Sequence, residues 1–399
     1  MLAGGCANRS RALKPPSLTI GVEEEYMIVD RATRDLAPEP PEAFMAACKE
    51  ALGDQVGHEF LKAQVEVDTR VCDDIAEVRA DLVRLRGGIA RAAERFDLAA
   101  VAASTHPFAD WRAQHHVPLA RYEFFAREMQ IVVRRLATCG MHVHVAVEDE
   151  ELRIDLMRQA TYFLPHLLAL SASSPFWMGE DTGLCSYRPS VFHDLPRTGL
   201  PEYLDGWNDW QALLRLMQAA GCDEGSKIWW DLRPSVKYPT LELRVCDVCT
   251  RIDDAVAIAA VFRCLLAFLY RLRRSNQSWR VYPQILVAEN KWRAQRYGVG
   301  GELADFGVAA LKPFGQLTGE LLELIQPEAE ALGCSAEVDQ VRTIVRRGTS
   351  ADAQRRVYHD AKAGGADEVE AMRSLVDWLA RETVAGLESA LEHAGATPN

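Results

Sequence analysis

Three short stretches, far apart in the chain, alternate an apolar residue with one that can hold a metal ion or a phosphate: Gly21-Val-Glu-Glu-Glu-Tyr26, Gly140-Met-His-Val-His-Val145 and Leu241-Glu-Leu-Arg-Val-Cys-Asp247. In a β-strand residues i and i+2 point to one face, so Glu23 with Glu25, His142 with His144, and Glu242 with Arg244 each form a same-face pair. Polar residues on a half-buried strand ordinarily meet water, which accounts for any one of these segments alone. It accounts poorly for all three, because water-facing positions have no reason to select carboxylate, imidazole and guanidinium together. Carboxylates with a minority of imidazoles favour Mg²⁺ or Mn²⁺, and arginine adds a clamp for phosphate or carboxylate. The chemistry these residues suit is phosphoryl transfer.

Glu66, in Ala63-Gln-Val-Glu-Val-Asp68, repeats the alternation as a further carboxylate, with Gln64 and Asp68 as weaker candidates on its face. Glu24 lies on the face opposite its neighbours and is expected to be exposed or paired. His106 precedes Pro107 at a strand end, where a role beside the substrate and a structural turn are equally open. Arg188 and Arg233 each precede Pro-Ser, which biases the arginine backbone towards extended conformations and can aim the guanidinium at a phosphate. A buried Glu242–Arg244 pair could be a plain salt bridge, but such burial is costly unless the geometry is excellent, and function is the better reason for it. The sequence holds no Walker-type phosphate loop and no GxGxxG, so a P-loop or Rossmann site has little support.

Positioning these pairs requires several strands in one sheet. Strands are expected at Leu18–Asp30, Glu59–Asp68, Leu98–Ala103, Met141–Val147, Ser226–Arg233 and Thr240–Cys246. Asp74-Ile-Ala-Glu77 reads as a capping box opening a helix whose stripe of Ile75, Val78, Leu82, Leu85, Ile89 and Phe96 would cover a sheet. Helices are also expected over Glu151–Ser174, bent near Pro165, and over Asp253–Arg274. The long stretch Ser174–Trp207, rich in Pro, Gly and aromatics, reads as a functional loop. The class is α+β, with helices on one side of a sheet and the site on its open face. We expect a disordered extension over residues 1–16, a catalytic sheet domain over 17–283, and a helical part over 284–399 that packs on the same domain or makes an oligomer contact.

With 399 residues and 48% hydrophobic content the chain can bury a large core. A formal charge of −12 argues against a broad nucleic-acid or anionic-membrane surface. The ten cysteines are scattered, mostly in apolar runs, and are expected to be reduced. No basic region or apolar stretch precedes Cys6, so no signal peptide is expected, and Arg263 interrupts the most apolar run. A cytoplasmic location is the expectation.

The Glu-x-Glu strand, Gly-Met-His-Val-His and Glu-x-Arg-x-x-Asp together resemble the glutamine synthetase superfamily. More closely, Thr19–Asp30, Thr105–Phe108, Cys139–Val147, Leu164–Pro175, Ser186–Ser190, Trp230–Ser235 and Leu241–Asp247 resemble the YbdK-type carboxylate–amine ligases, the glutamate–cysteine ligase type 2 group. The resemblance runs in order over roughly residues 17–300. It implies a glutamine synthetase-like antiparallel sheet covered by helices, with ATP and Mg²⁺ or Mn²⁺ across it. It further implies that Glu23, His142 and Glu242 hold one metal against the ATP phosphates while Glu25 and Glu66 hold a second. His144, Arg188 and Arg233 would touch phosphates, and Arg244 would sit by the glutamate carboxyl being activated, so that Arg244, Glu66 and His144 carry the catalysis. Met141 stands where Gln is common in the group, and Glu24 where an apolar residue is common. The implied reaction makes γ-glutamyl phosphate from glutamate and ATP, and cysteine or another amine then displaces phosphate. Two rivals stand beside it: a metal-dependent amide hydrolase using the His-x-His strand, and a nucleotide-binding member of the fold without turnover. Small molecules are the expected partners, with a homo-oligomer possible.

Overall fold

The computed structural model describes residues 14–222 and 227–387. Its main sheet has seven strands: β1 (Ile20–Asp30), β2 (Val56–His58), β3 (Gln64–Asp68), β4 (Leu98–Val101), β5 (Met141–Ala146), β6 (Leu232–Pro234) and β7 (Thr240–Leu243). Neighbours run antiparallel in the order β6-β7-β5-β1-β3-β2, and β4 follows β5 along the same edge of β1. The alternation read from sequence sets which face is buried. Val22, Tyr26, Val65, Val67, Val143, Val145, Leu241 and Leu243 all point to the core side, where the helices Ile75–Glu94 and Ile252–Arg274 pack.

Glu24 shares that core face and is fully buried there, paired with Arg86 of the Ile75–Glu94 helix. Of the two expectations for Glu24, pairing is the outcome. The Arg86 guanidinium also donates to the carbonyls of Thr250 and Cys249, both at 2.8 Å. The Ile252–Arg274 helix is long and apolar enough to cross a membrane by length and composition alone, but 83% of its most apolar window is buried inside the protein. Arg263 within it is buried too, donating to the carbonyls of Leu18 and Asp73.

Several elements differ from the expectations. Residues Glu59–Ala63 form a turn rather than the start of β3, so β2 and β3 make a hairpin. The Glu151–Ser174 helix is broken into Glu150–Ala160, a 3-10 turn at Thr161–Phe163, and Leu164–Ser171 with Pro165 in its first turn, where proline is tolerated. The expected Ser226–Arg233 strand begins outside the described residues and divides at Asp231. Trp229–Trp230 pairs with Thr198–Gly199, and Leu232–Pro234 joins the main sheet. Among the described residues from 284 onward come five α-helices and a hairpin, Glu302–Asp305 with Ala310–Pro313, and Phe314, Ile325, Ile344 and Leu375 enter the same apolar core as the sheet. Residues 1–13 of the expected extension and the end of the chain after 387 lie outside the described residues.

Candidate active site

Strand register assembles the site. Glu23 of β1 stands opposite His142 of β5 and Asp68 of β3, and Glu25 stands opposite Glu66. Farther along, His144 faces Glu242 of β7, which faces Arg233 of β6. All have the parity that points away from the core helices, so a slip of one residue in any pairing would turn that strand's contribution inward.

Glu23 is the hub. Its carboxylate meets His142 Nδ1 at 2.9 Å and His144 Nε2 at 3.0 Å, while His144 Nδ1 bonds the Thr240 hydroxyl at 3.0 Å. Burial opposes charge on Glu23, but the His142 hydrogen bond and the nearby His144 imidazole outweigh it and hold the carboxyl well below its usual range. Burial and then the Arg244 charge push His142 down to about 4, so its imidazole is neutral. With Nδ1–H given to Glu23, His142 Nε2 carries a lone pair, and this buried atom has no hydrogen-bond partner among the described residues. His144 moves the other way: burial lowers it, yet Glu23 raises it above its usual value.

Among the described residues three sets of ligand atoms lie within 4.8 Å of one another: Glu23, His144 and Glu242; Glu23, Glu66 and Asp68; Glu25, Glu59 and Glu66. His144, rather than His142, falls in the set with Glu23 and Glu242. Charge is crowded on the acidic side. Burial and then Glu59 push Glu25 up to about 8, burial and then Glu23 push Asp68 up to about 6, and Glu66 and Glu59 are also raised, in each case first by burial. Half-buried carboxylates that repel one another are a poor way to stabilise a fold and a good way to receive divalent cations. The orphaned His142 lone pair and the oxygen-rich sets fit Mg²⁺ or Mn²⁺ on the donors present.

The cationic side is built around Glu242, which is 2% exposed. Arg233 grips it with both arms of its fork, Nε to Oε2 at 2.8 Å and Nη2 to Oε1 at 3.0 Å, and Arg244 Nη1 donates to Oε1 as well. Burial opposes ionisation of Glu242, but Arg244 and then Arg233 bring its carboxyl down to about 2. Arg244 keeps a buried Nε without a hydrogen-bond partner among the described residues. Arg233 has the extended backbone expected before proline. Arg188 does not. It opens the short helix Arg188–Phe192, because Pro189 in a first turn lacks only an N–H that the helix leaves unused. Its guanidinium donates to the carbonyls of Arg244 and Cys246 at 3.3 and 3.2 Å. A Cβ at position 140 would collide with that guanidinium, so glycine suits the position just before β5. The same glycine N–H donates to Glu25 at 2.7 Å.

Buried Asp247 anchors the loop that carries Arg188. It accepts from the Ser173 N–H at 2.9 Å, the Ser174 hydroxyl at 2.7 Å and the Ser186 hydroxyl at 2.9 Å, and the Ser174 oxygen in turn accepts from the Arg188 N–H at 3.1 Å. His106 lies apart from the site. Its Nδ1 accepts from the N–H groups of Phe108 and Ala109, and its Nε2 bonds the Arg34 carbonyl at 2.9 Å, so it is a turn residue. Glu59 was not singled out by sequence reasoning. On a continuous strand its odd spacing from Glu66 places it on the opposite face, and only the hairpin brings the two together. Between Glu25, Glu59, His142, Arg188 and Arg244 opens a cavity of about 160 Å³.

Residues 19–376 match the family described as glutamate-cysteine ligase family 2. Two similar proteins are named "Putative glutamate--cysteine ligase 2": one from Rhodospirillum rubrum, 55% identical over 94% of this chain and 98% of that protein, and one from Jannaschia sp., 51% identical over 90% and 95%. Among solved structures, the glutamate–cysteine ligase of Francisella tularensis in complex with AMP aligns over 96% of this chain and 92% of that one, with a TM-score of 0.65 at 12% identity. A bifunctional glutathione synthetase from Pasteurella multocida aligns over 92% of this chain and 52% of its own, with a TM-score of 0.66 at 14% identity. These two structural likenesses concern the fold.

Proposed function

The chain belongs to the glutamate–cysteine ligase family 2, and from that premise we propose that it joins the γ-carboxylate of glutamate to an amine such as that of cysteine, consuming ATP. The observation that carries the reading is the one sheet face on which register gathers Glu23, Glu25, Glu66, His142, His144 and Glu242 beside Arg233 and Arg244.

A carboxylate does not form an amide directly, because oxide is a hopeless leaving group. The γ-carboxylate therefore attacks the γ-phosphorus of ATP, the bond to the bridging oxygen breaks, and ADP leaves. Arg244, whose Nε has no hydrogen-bond partner among the described residues, would hold the carboxyl during this step, and Arg188 lines the same cavity. Arg233 holds Glu242 in its ionised state. Glu23, His144 and Glu242, with His142 beside them, would hold one cation, and Glu25, Glu59 and Glu66 a second. When bound, Mg²⁺ or Mn²⁺ supplies neutralisation of the triphosphate and of the charge that builds on the transferring phosphoryl group. His144 would meet the phosphates beside the first set. The buried, fixed geometry keeps these charges aimed without reorganisation. The reading places the protein in the cytoplasm, in keeping with nine buried free cysteines among the described residues.

A screen of ATP consumption over acid–amine pairs tests the proposal. ADP and phosphate should appear only with a γ-carboxylate acid and an amine, in the presence of Mg²⁺ or Mn²⁺. ATP binding with no turnover in any pair would favour a non-catalytic role, and amide cleavage without ATP would favour a hydrolase.

A further inference from the structure

The cavity at the arginines has a mixed lining. Besides its charged residues it is walled by Phe60, Tyr122, Phe125, Leu136, Phe192 and Trp229. Phe60 and Tyr122 meet edge to face at 5.7 Å, and Phe125 lies 5.9 Å from Trp229. Phe60, Tyr122 and Val133 belong to an apolar cluster separate from the main core, so this wall does not arise as an outlying part of that core. The Tyr122 hydroxyl donates to the His58 carbonyl at 2.8 Å, which leaves the ring as the surface a ligand can use. The volume of about 160 Å³ compares with the roughly 150 Å³ of an apolar cavity that holds a benzene ring. A cysteine side chain fills a small part of it.

Resting on the ligase reading above, we propose that the acceptor is a primary amine carrying a bulky apolar group, of aryl or branched-alkyl size, in preference to cysteine. Its amine meets the activated acyl group among the polar residues of the cavity, and its apolar body lies against the aromatic wall. In the transfer the amine nitrogen forms the C–N bond to the acyl carbon and the C–O bond to phosphate breaks with its electron pair. The amine attacks in its neutral form, inorganic phosphate leaves, and the one proton lost from nitrogen passes to that phosphate.

The test uses the full-length protein with ATP, Mg²⁺ and glutamate, and compares hydroxylamine, L-cysteine, L-phenylalanine and 2-phenylethylamine as acceptors. Hydroxylamine is too small to depend on the wall and traps the acyl phosphate as a hydroxamate. The expected result is hydroxamate formation together with a kcat/KM for an aryl acceptor about tenfold to a hundredfold above that for cysteine. Leu136→Trp, which fills the cavity, should reverse that ratio, and Phe125→Ala, which thins the wall, should narrow it. Hydroxamate formation with cysteine used as well as or better than both aryl amines would overturn the acceptor proposal and leave the ligase reading standing. Absence of hydroxamate with every acceptor inactive would overturn the ligase reading, and this proposal with it.

Discussion

Arg244 and Arg86 show how differently a buried arginine can serve. Arg244 shares Glu242 with Arg233 and retains a buried Nε with no hydrogen-bond partner among the described residues, so its fork is not used up by the pair. Arg244→Lys keeps the charge and loses the fork. We expect kcat/KM for the acid substrate to fall by roughly tenfold to a thousandfold, about 1.4–4 kcal/mol; a change in stability alone, with kcat/KM intact, would make the pair structural. Arg86 has all its bonds inside the core, to Glu24 and two carbonyls. Arg86→Met strands the Glu24 carboxylate, and the unfolding free energy should drop by about 3–5 kcal/mol in a urea titration. A loss below about 1 kcal/mol would mean that Glu24 finds relief elsewhere.

At the scale of elements, strand parity was legible and loop geometry was not. Glu23, Glu25, Glu66, His142, His144 and Glu242 come to one face because period-2 alternation needs no tertiary knowledge. Glu59 escaped because a hairpin resets parity, and Arg188 was misread as extended because its loop, fastened to buried Asp247, starts a helix instead. The His106 turn carries its own prediction. Burial takes this histidine from the usual 6.5 to about 4. The folded state therefore resists a proton that the unfolded chain accepts. Its contribution is complete above pH 6.5 and is lost as pH falls towards 4, amounting to about 3 kcal/mol. Raised carboxylates such as Glu25 act in the opposite sense, so the effect is best read as a difference. Between pH 6.5 and 4 the stability slope of His106→Gln should differ from that of the parent by close to one proton, and equal slopes would contradict the burial argument.

For the whole molecule, one apolar core joins the sheet to the helices beyond residue 284, so cation binding on the open face should be felt in global unfolding. Mg²⁺ or Mn²⁺ at about a hundred times its dissociation constant should add about 2.7 kcal/mol and raise the melting temperature, an increment removed by chelator. Glu66 belongs to two of the three ligand sets, so Glu66→Gln should shrink the increment. Identical melting with metal and with chelator would count against a cation site.

The most direct measurement follows an oxygen. Glutamate labelled with ¹⁸O in its γ-carboxylate, turned over with ATP, Mg²⁺ and an accepted amine, should deliver one labelled oxygen to each inorganic phosphate released, because the displaced phosphate keeps the oxygen through which the acyl group was activated. Amide formation with no label in phosphate, or amide cleavage that proceeds without ATP, would contradict the acyl phosphate and the ligase with it.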